Sequence, residues 1–116
     1  MADSDPDCVF CSIASGAAGV PLVVDTAGVV AFRDVNPQAP IHVLVVPKAH
    51  YRDVSSLAAA EPAVLAELVA VGQQVADAEA GGAFRLVFNT GARAGQRVFH
   101  VHGHVLGGRF LGWPPG

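Results

Sequence analysis

Three of the chain's five histidines occupy alternate positions in one run, Phe99-His100-Val101-His102-Gly103-His104-Val105. Side chains of an extended strand alternate between faces, so these three imidazoles are expected on one face. They would stand roughly 7 Å apart at a rise of ~3.4 Å per residue, with Phe99, Val101 and Val105 turned to the core. Such a row serves chemistry better than packing. It can hold a transition metal, or one neutral imidazole can attack phosphorus while its neighbours supply hydrogen bonds and protons. The preceding loop, Thr90 to Arg97, contains Gly91 and Gly95, which free the backbone to turn N–H groups inward, and Gln96 adds an amide. An anion cradle leading into the imidazole row is the expectation. A second candidate lies near the start: Cys8 and Cys11 are the only cysteines, and their C-x-x-C spacing suits metal chelation or redox cycling.

The elements that must position these groups are short. Cys8 to Ser15 is expected as a short helix or turn, with Phe10 and Ile13 as its apolar contacts. Pro21 to Asp25 and Val29 to Arg33 read as a hairpin about Thr26-Ala27-Gly28. Asn36-Pro37-Gln38-Ala39-Pro40 is a loop, because each proline biases its predecessor away from helix. Ile41 to Val46 is almost continuously apolar apart from His42, as a central strand is, and Pro47 closes it. One helix runs from about Glu61 to Glu79: Pro62 suits its first turn, and Val64, Leu65, Leu68, Val71 and Val75 keep a 3.6-residue period. Glu67, Gln74 and Asp77 fall outside that stripe, and Gly81-Gly82 stops the helix. Phe84 to Asn89 is a further strand, followed by the glycine loop and the histidine strand. Strands, one long helix, then strands on short turns favour an antiparallel α+β domain.

Composition narrows the function classes. A chain of 116 residues with 52% hydrophobic content has material for one core. Its formal charge of -3 argues against long nucleic acid, although backbone amides and a few side chains suffice for a single nucleotide. No apolar run approaches the ~20 residues of a membrane span. The acidic start, Met1 to Asp7, reads as disordered and lacks a secretory n-region, so a cytoplasmic location is expected. The domain is then residues 8–116.

The segment Gly95-Gln96-Arg97-Val98-Phe99-His100-Val101-His102-Gly103-His104-Val105-Leu106 closely resembles the signature of the histidine triad (HIT) superfamily. Asp34 through Lys48 resembles a second block of that family, and the tail from Gly107 through Trp113 to Gly116 is similar to its Hint branch rather than to its diadenosine-polyphosphate hydrolases. The resemblance implies a five-stranded antiparallel sheet with one long and one short N-terminal helix, and a homodimer whose sheets join. It implies a purine nucleotide hydrolase or nucleotidyl transferase, a nucleoside phosphoramidase, in which His102 attacks the α-phosphorus, His104 assists and His42 supports the row. Asp34 would accept from the ribose hydroxyls. Phe10, Ile13, Phe32, Val35 and Leu44 would hold the base, with Asn89, Gly95, Gln96, Arg97 and Val98 around the phosphate. In relatives with the N-terminal cysteine pair the matching zinc ligands are Cys8, Cys11, His50 and His100. This chain departs from the branch in two places. Arg97 stands where serine is frequent, and Gly103 replaces a bulkier apolar residue, which would loosen packing behind the nucleophile. A dinucleoside polyphosphate hydrolase, a nucleotide-binding module with little turnover, and a metal enzyme using the triplet as ligands stay open as alternatives.

Overall fold

The computed structural model describes residues 5–116. Of the N-terminal stretch expected to be disordered, residues 1–4 lie outside the described residues. Residues 5–7 make a turn that places the Asp5 carbonyl 3.0 Å from the Cys8 N–H. Helix α1 (Val9–Ala14) follows, capped by Cys8, whose sulfur accepts from the Cys11 N–H. Strands β1 (Val24–Asp25), β2 (Val29–Arg33) and β3 (Ile41–Pro47) lead to α2 (Val54–Ala60) and α3 (Pro62–Glu79). Strand β4 (Arg85–Val87), a 3-10 turn at Ala92–Ala94 and β5 (Gly103–Gly107) complete the order. The sheet runs β1-β2-β3-β5-β4 and every pairing is antiparallel, as an α+β domain requires.

Strand β3 is apolar on both sides because both faces of the sheet are covered. Val43 and Val45 join Val29, Ala31 and Val105 under α2 and α3, through Leu57, Leu68, Val71 and Val75. Leu44 and Val46 join Val30 and Phe32 under α1, through Phe10 and Ile13. Alternation therefore puts His42 on the α1 face with Leu44 and Val46. The register pairs Leu44 with His104 and His42 with Leu106, making His42 and His104 diagonal neighbours on that face.

Several boundaries differ from expectation. Helix α2 was not expected; Asp53 caps it by accepting from the Ser56 N–H at 2.9 Å, a role for which Asp is suited. The first hairpin strand spans only Val24–Asp25, not from Pro21, with the Val23 N–H donating to the Ala31 carbonyl at 2.7 Å just before it. Its turn is held from outside: Glu67, on the polar side of α3, accepts from the Thr26 hydroxyl and from the Gly28 N–H. Strand β4 ends at Val87, short of Asn89.

The largest correction concerns the histidine run. Regular pairing begins at Gly103, so His100 and His102 precede β5 and only His104 lies within it. Phe99 is also displaced from the core side and lies under the Arg52 guanidinium, 4.3 Å from its Cζ. Nor does Gly103 loosen the packing. A Cβ there would meet Leu86 Cδ1 at 2.9 Å and the Phe88 ring at 3.2 Å, so neighbours already fill the space. Gly103→Val is expected to lower stability by about 1–3 kcal/mol through overpacking, read as a reduced urea midpoint at unchanged slope.

Candidate functional site

His102 stands where three elements converge. Its ring lies 4.9 Å from Phe10 of α1, edge to face, and 5.0 Å from the His104 ring of β5. Its Nδ1 is 2.8 Å from the His100 carbonyl. A carbonyl can only accept, so Nδ1 carries the hydrogen and Nε2 keeps its lone pair. Burial lowers the His102 pKa, which holds the ring neutral.

The tautomers of the other two rings follow in turn. The Gln38 N–H donates to His42 Nδ1 at 3.0 Å, so the hydrogen of neutral His42 is on Nε2. That hydrogen faces His104 Nδ1 at 2.9 Å and Asp34 Oδ2 at 3.3 Å. His104 therefore accepts at Nδ1 and carries its own hydrogen on Nε2, an atom that is buried and has no partner among the described residues. An unsatisfied buried donor is costly unless something is brought to it. Burial, then the His102 and His42 rings, pushes the His104 pKa down to about 4.

The sign of the resulting pH dependence is fixed. Between about pH 4 and the ordinary 6.5, the unfolded chain binds a proton that folded His104 does not. Stability from this group is full above that window and falls as pH drops through it. Urea midpoints from about pH 7 to about pH 5 are expected to fall more steeply in the wild type than in His104→Gln.

A cavity of about 510 Å3 opens over these rings. Phe10, Ile13, Phe32, Asp34, Val35 and Leu44 line it, together with Arg97, Val98, His102 and His104. Asp34 reaches it with Oδ1 accepting from the Asn36 N–H at 2.8 Å; a carboxylate oxygen retains lone pairs for a further donor. Three expected phosphate neighbours are placed differently. Asn89 lies beside Gly95, 3.6 Å from the position of a Cβ there. The N–H groups of Ala94, Gly95 and Gln96 are donated within the loop, to Gly91 and Ala92 carbonyls. Gln96 does not line the cavity: it is 3% exposed, its Oε1 accepts from Gly91, and its Nε2 donates to the Arg52 and Val98 carbonyls. The loop is thus braced from within rather than open as a cradle, because its glycines (φ 87° at Gly91, 97° at Gly95) close a 3-10 turn.

His100 performs a separate task. It is 0% exposed, and its Nε2 donates to the Pro47 carbonyl at 2.8 Å. That bond turns its Nδ1 lone pair toward the Cys8 and Cys11 sulfurs, each 3.4 Å away, and burial pushes its pKa down to about 4. His50 Nδ1 lies 3.3 Å from the Cys11 sulfur. The four ligand atoms form one cluster. Sulfur and nitrogen bound to one tetrahedral zinc, at about 2.3 and 2.0–2.1 Å, lie roughly 3.5 Å apart, so the donor set fits this ion. The triplet does not converge on a metal of its own. His100 faces the sulfurs, His102 its neighbour's carbonyl, and His104 the His42 ring.

The HIT domain family profile matches residues 18–111. An HIT-like protein of Synechocystis sp., named as uncharacterised, is 43% identical over 95% of this chain and 97% of its own length. The chain belongs to the HIT family. Among solved structures, a HIT family hydrolase from Legionella pneumophila Philadelphia 1 superposes with a TM-score of 0.89 at 39% identity, covering 95% of this chain and 100% of that one. A zinc-bound histidine triad family protein from Mycobacterium smegmatis superposes at 0.76 with 33% identity, over 89% of this chain and 76% of that one. The HIT fold of this chain is therefore the five-stranded antiparallel sheet with its helices as described. No helix among the described residues is long and apolar enough to cross a membrane. Sequence reasoning missed Arg52 beside the site; its only signal was a position two residues after His50.

Proposed function

We propose that this HIT protein is a purine nucleoside phosphoramidase of the Hint type, acting through a nucleotidyl-histidine. The observation that supports this reading is the tautomer of His102, which leaves its Nε2 lone pair free in a ring that lines the cavity with His104, whose Nε2–H has no partner among the described residues. A purine fits the apolar wall of Phe10, Ile13, Phe32 and Leu44, and Asp34 is suited to ribose hydroxyls. Among the described residues no backbone bond is recorded for the Arg97 and Val98 amides, which leaves them for the α-phosphate in place of Gly95 and Gln96.

In the first step the His102 Nε2 pair bonds to phosphorus and the P–N bond breaks. Its electrons stay on nitrogen, which takes up one proton and leaves as an amine. Water then attacks phosphorus, the histidine departs with its lone pair restored, and the proton lost by water balances the earlier one. The His104 Nε2–H donates to a phosphoryl oxygen or the leaving nitrogen, and His42 holds that ring in orientation. Turnover of adenosine phosphoramidate, with labelled AMP trapped by an alkaline quench and mapped to the His102 peptide, tests the reading. Label elsewhere, or none during turnover, overturns it. Preference for diadenosine triphosphate would move the chain to the neighbouring branch, and binding without turnover would make it a nucleotide-binding module.

The same reading assigns a structural zinc ion to Cys8, Cys11, His50 and His100, where it would join α1 to the segment before His102. It also assigns a homodimer. Phe110 at 92% and Trp113 at 81% exposure support association through the C-terminal segment.

A further inference from the structure

Beside the nucleotide cavity lies a second one of about 490 Å3. Val9, Arg97 and Val98 line both, so the two meet along one rim. Arg52 and Phe99 line only the second, as do Asp5 and Asp7.

The two guanidinium groups on this cavity differ from most cations of the chain. Arg33 pairs with Glu79 at 2.9 Å and Lys48 with Asp25 at 2.8 Å. Arg85 donates to the Gly112 carbonyl at 2.7 Å, and Arg109 to Gln38 at 3.1 Å. The exposed Arg52 and Arg97 guanidinium groups make no hydrogen bond among the described residues, and Arg52 acts on Asp53 only through its charge. Arg52 is instead stacked over Phe99, 4.3 Å from the ring centroid, which orients the group while leaving its N–H edge unused. Its main chain is fixed as well. The buried Gln96 amide donates to the Arg52 carbonyl at 2.7 Å and to the Val98 carbonyl at 3.1 Å, binding the segment after β3 to the residues on either side of Arg97. Two carboxylates share this cavity, Asp5 and Asp7, and Asp5 Oδ1 accepts from the Asp7 N–H at 2.9 Å.

We propose that Arg52 and Arg97 form a subsite for a negatively charged leaving group. A carboxylate or phosphate carried beyond the reacting phosphorus would sit there, so this chain favours acidic leaving groups over neutral or basic ones. The proposal rests on nucleotidyl transfer at His102. A group departing from that phosphorus on the Arg97 side enters this cavity, and charge-assisted hydrogen bonds to guanidinium are the stronger kind.

The experiment compares kcat/KM for three adenosine phosphoramidates of similar size, whose leaving amines are glycine, glycinamide and ethylenediamine. The wild type is expected to favour glycine over glycinamide by about tenfold, with ethylenediamine the poorest. Arg52→Gln should bring the glycine to glycinamide ratio close to one, and Arg52→Glu should invert it. Arg97→Gln should lower the same ratio. Equal rates in the wild type, a ratio unmoved by both glutamine variants, or preference for ethylenediamine would overturn the subsite; the last would mean that Asp5 and Asp7 dominate. Failure of glycinamide turnover itself counts against the nucleotidyl-transfer reading instead, and binding then decides the subsite. ADP should bind several-fold more tightly than AMP, and Arg52→Gln should remove the difference. Equal affinities would overturn the subsite for phosphate.

Discussion

His102→Ala is expected to lower kcat on adenosine phosphoramidate by about 10⁴-fold or more, with no nucleotidylated peptide recoverable. The magnitude follows from the role: the substitution removes the atom that bonds to phosphorus, and no described ring replaces it. His104 is the nearest, but its Nδ1 is occupied by His42 and its Nε2 carries the hydrogen. Nucleotide affinity should change far less, because Phe10, Ile13, Phe32, Asp34 and Leu44 line the cavity independently of that imidazole. His104→Ala should cost less, about 10²–10⁴-fold, as the loss of a hydrogen-bond or proton donor does. Single-turnover kinetics with AMP titration separates the two effects. A His102→Ala chain retaining a tenth of the wild-type rate would remove the covalent mechanism.

Metal removal should be felt in both stability and binding. Zinc at a hundred times its Kd stabilises by about 2.7 kcal/mol, and for a chain of 116 residues that is about 10 °C in Tm. Cys11→Ser is expected to lose the ion and that increment together. The effect should also reach the nucleotide. Cys8 and Cys11 flank Phe10, whose ring touches His102, and the carbonyl of His100 sets the His102 tautomer. By linkage, AMP should then raise the affinity for zinc in competition with a chromogenic chelator. Metal analysis, thermal unfolding and zinc affinity with and without AMP give three separate readouts. A chain purified without chelator that contains no zinc, or a Cys11→Ser chain with undiminished zinc, would refute the assignment. A zinc affinity unmoved by AMP would refute only the coupling.

The chain's local patterns specified much of what was found. Period 3.6 marked Leu68, Val71 and Val75 as the buried stripe of α3, a short apolar run marked β3, and His102 and His104 were placed together because residues two apart share a face. C-x-x-C marked Cys8 and Cys11 as candidate metal ligands or a redox pair, and their sulfurs cluster with His50 and His100. Tertiary structure decided what depends on partners remote in the chain. His100 leaves the row because the Pro47 carbonyl, 53 residues away, turns its other nitrogen to the sulfurs. His42 meets His104 only through the β3–β5 register. Gln96, read as a ligand group, is drawn inward by the Arg52 carbonyl 44 residues back, and the same bond sets Arg52 beside Arg97. A sequence states which groups can donate or accept. Which of them meet is settled when buried polar atoms find partners across the fold.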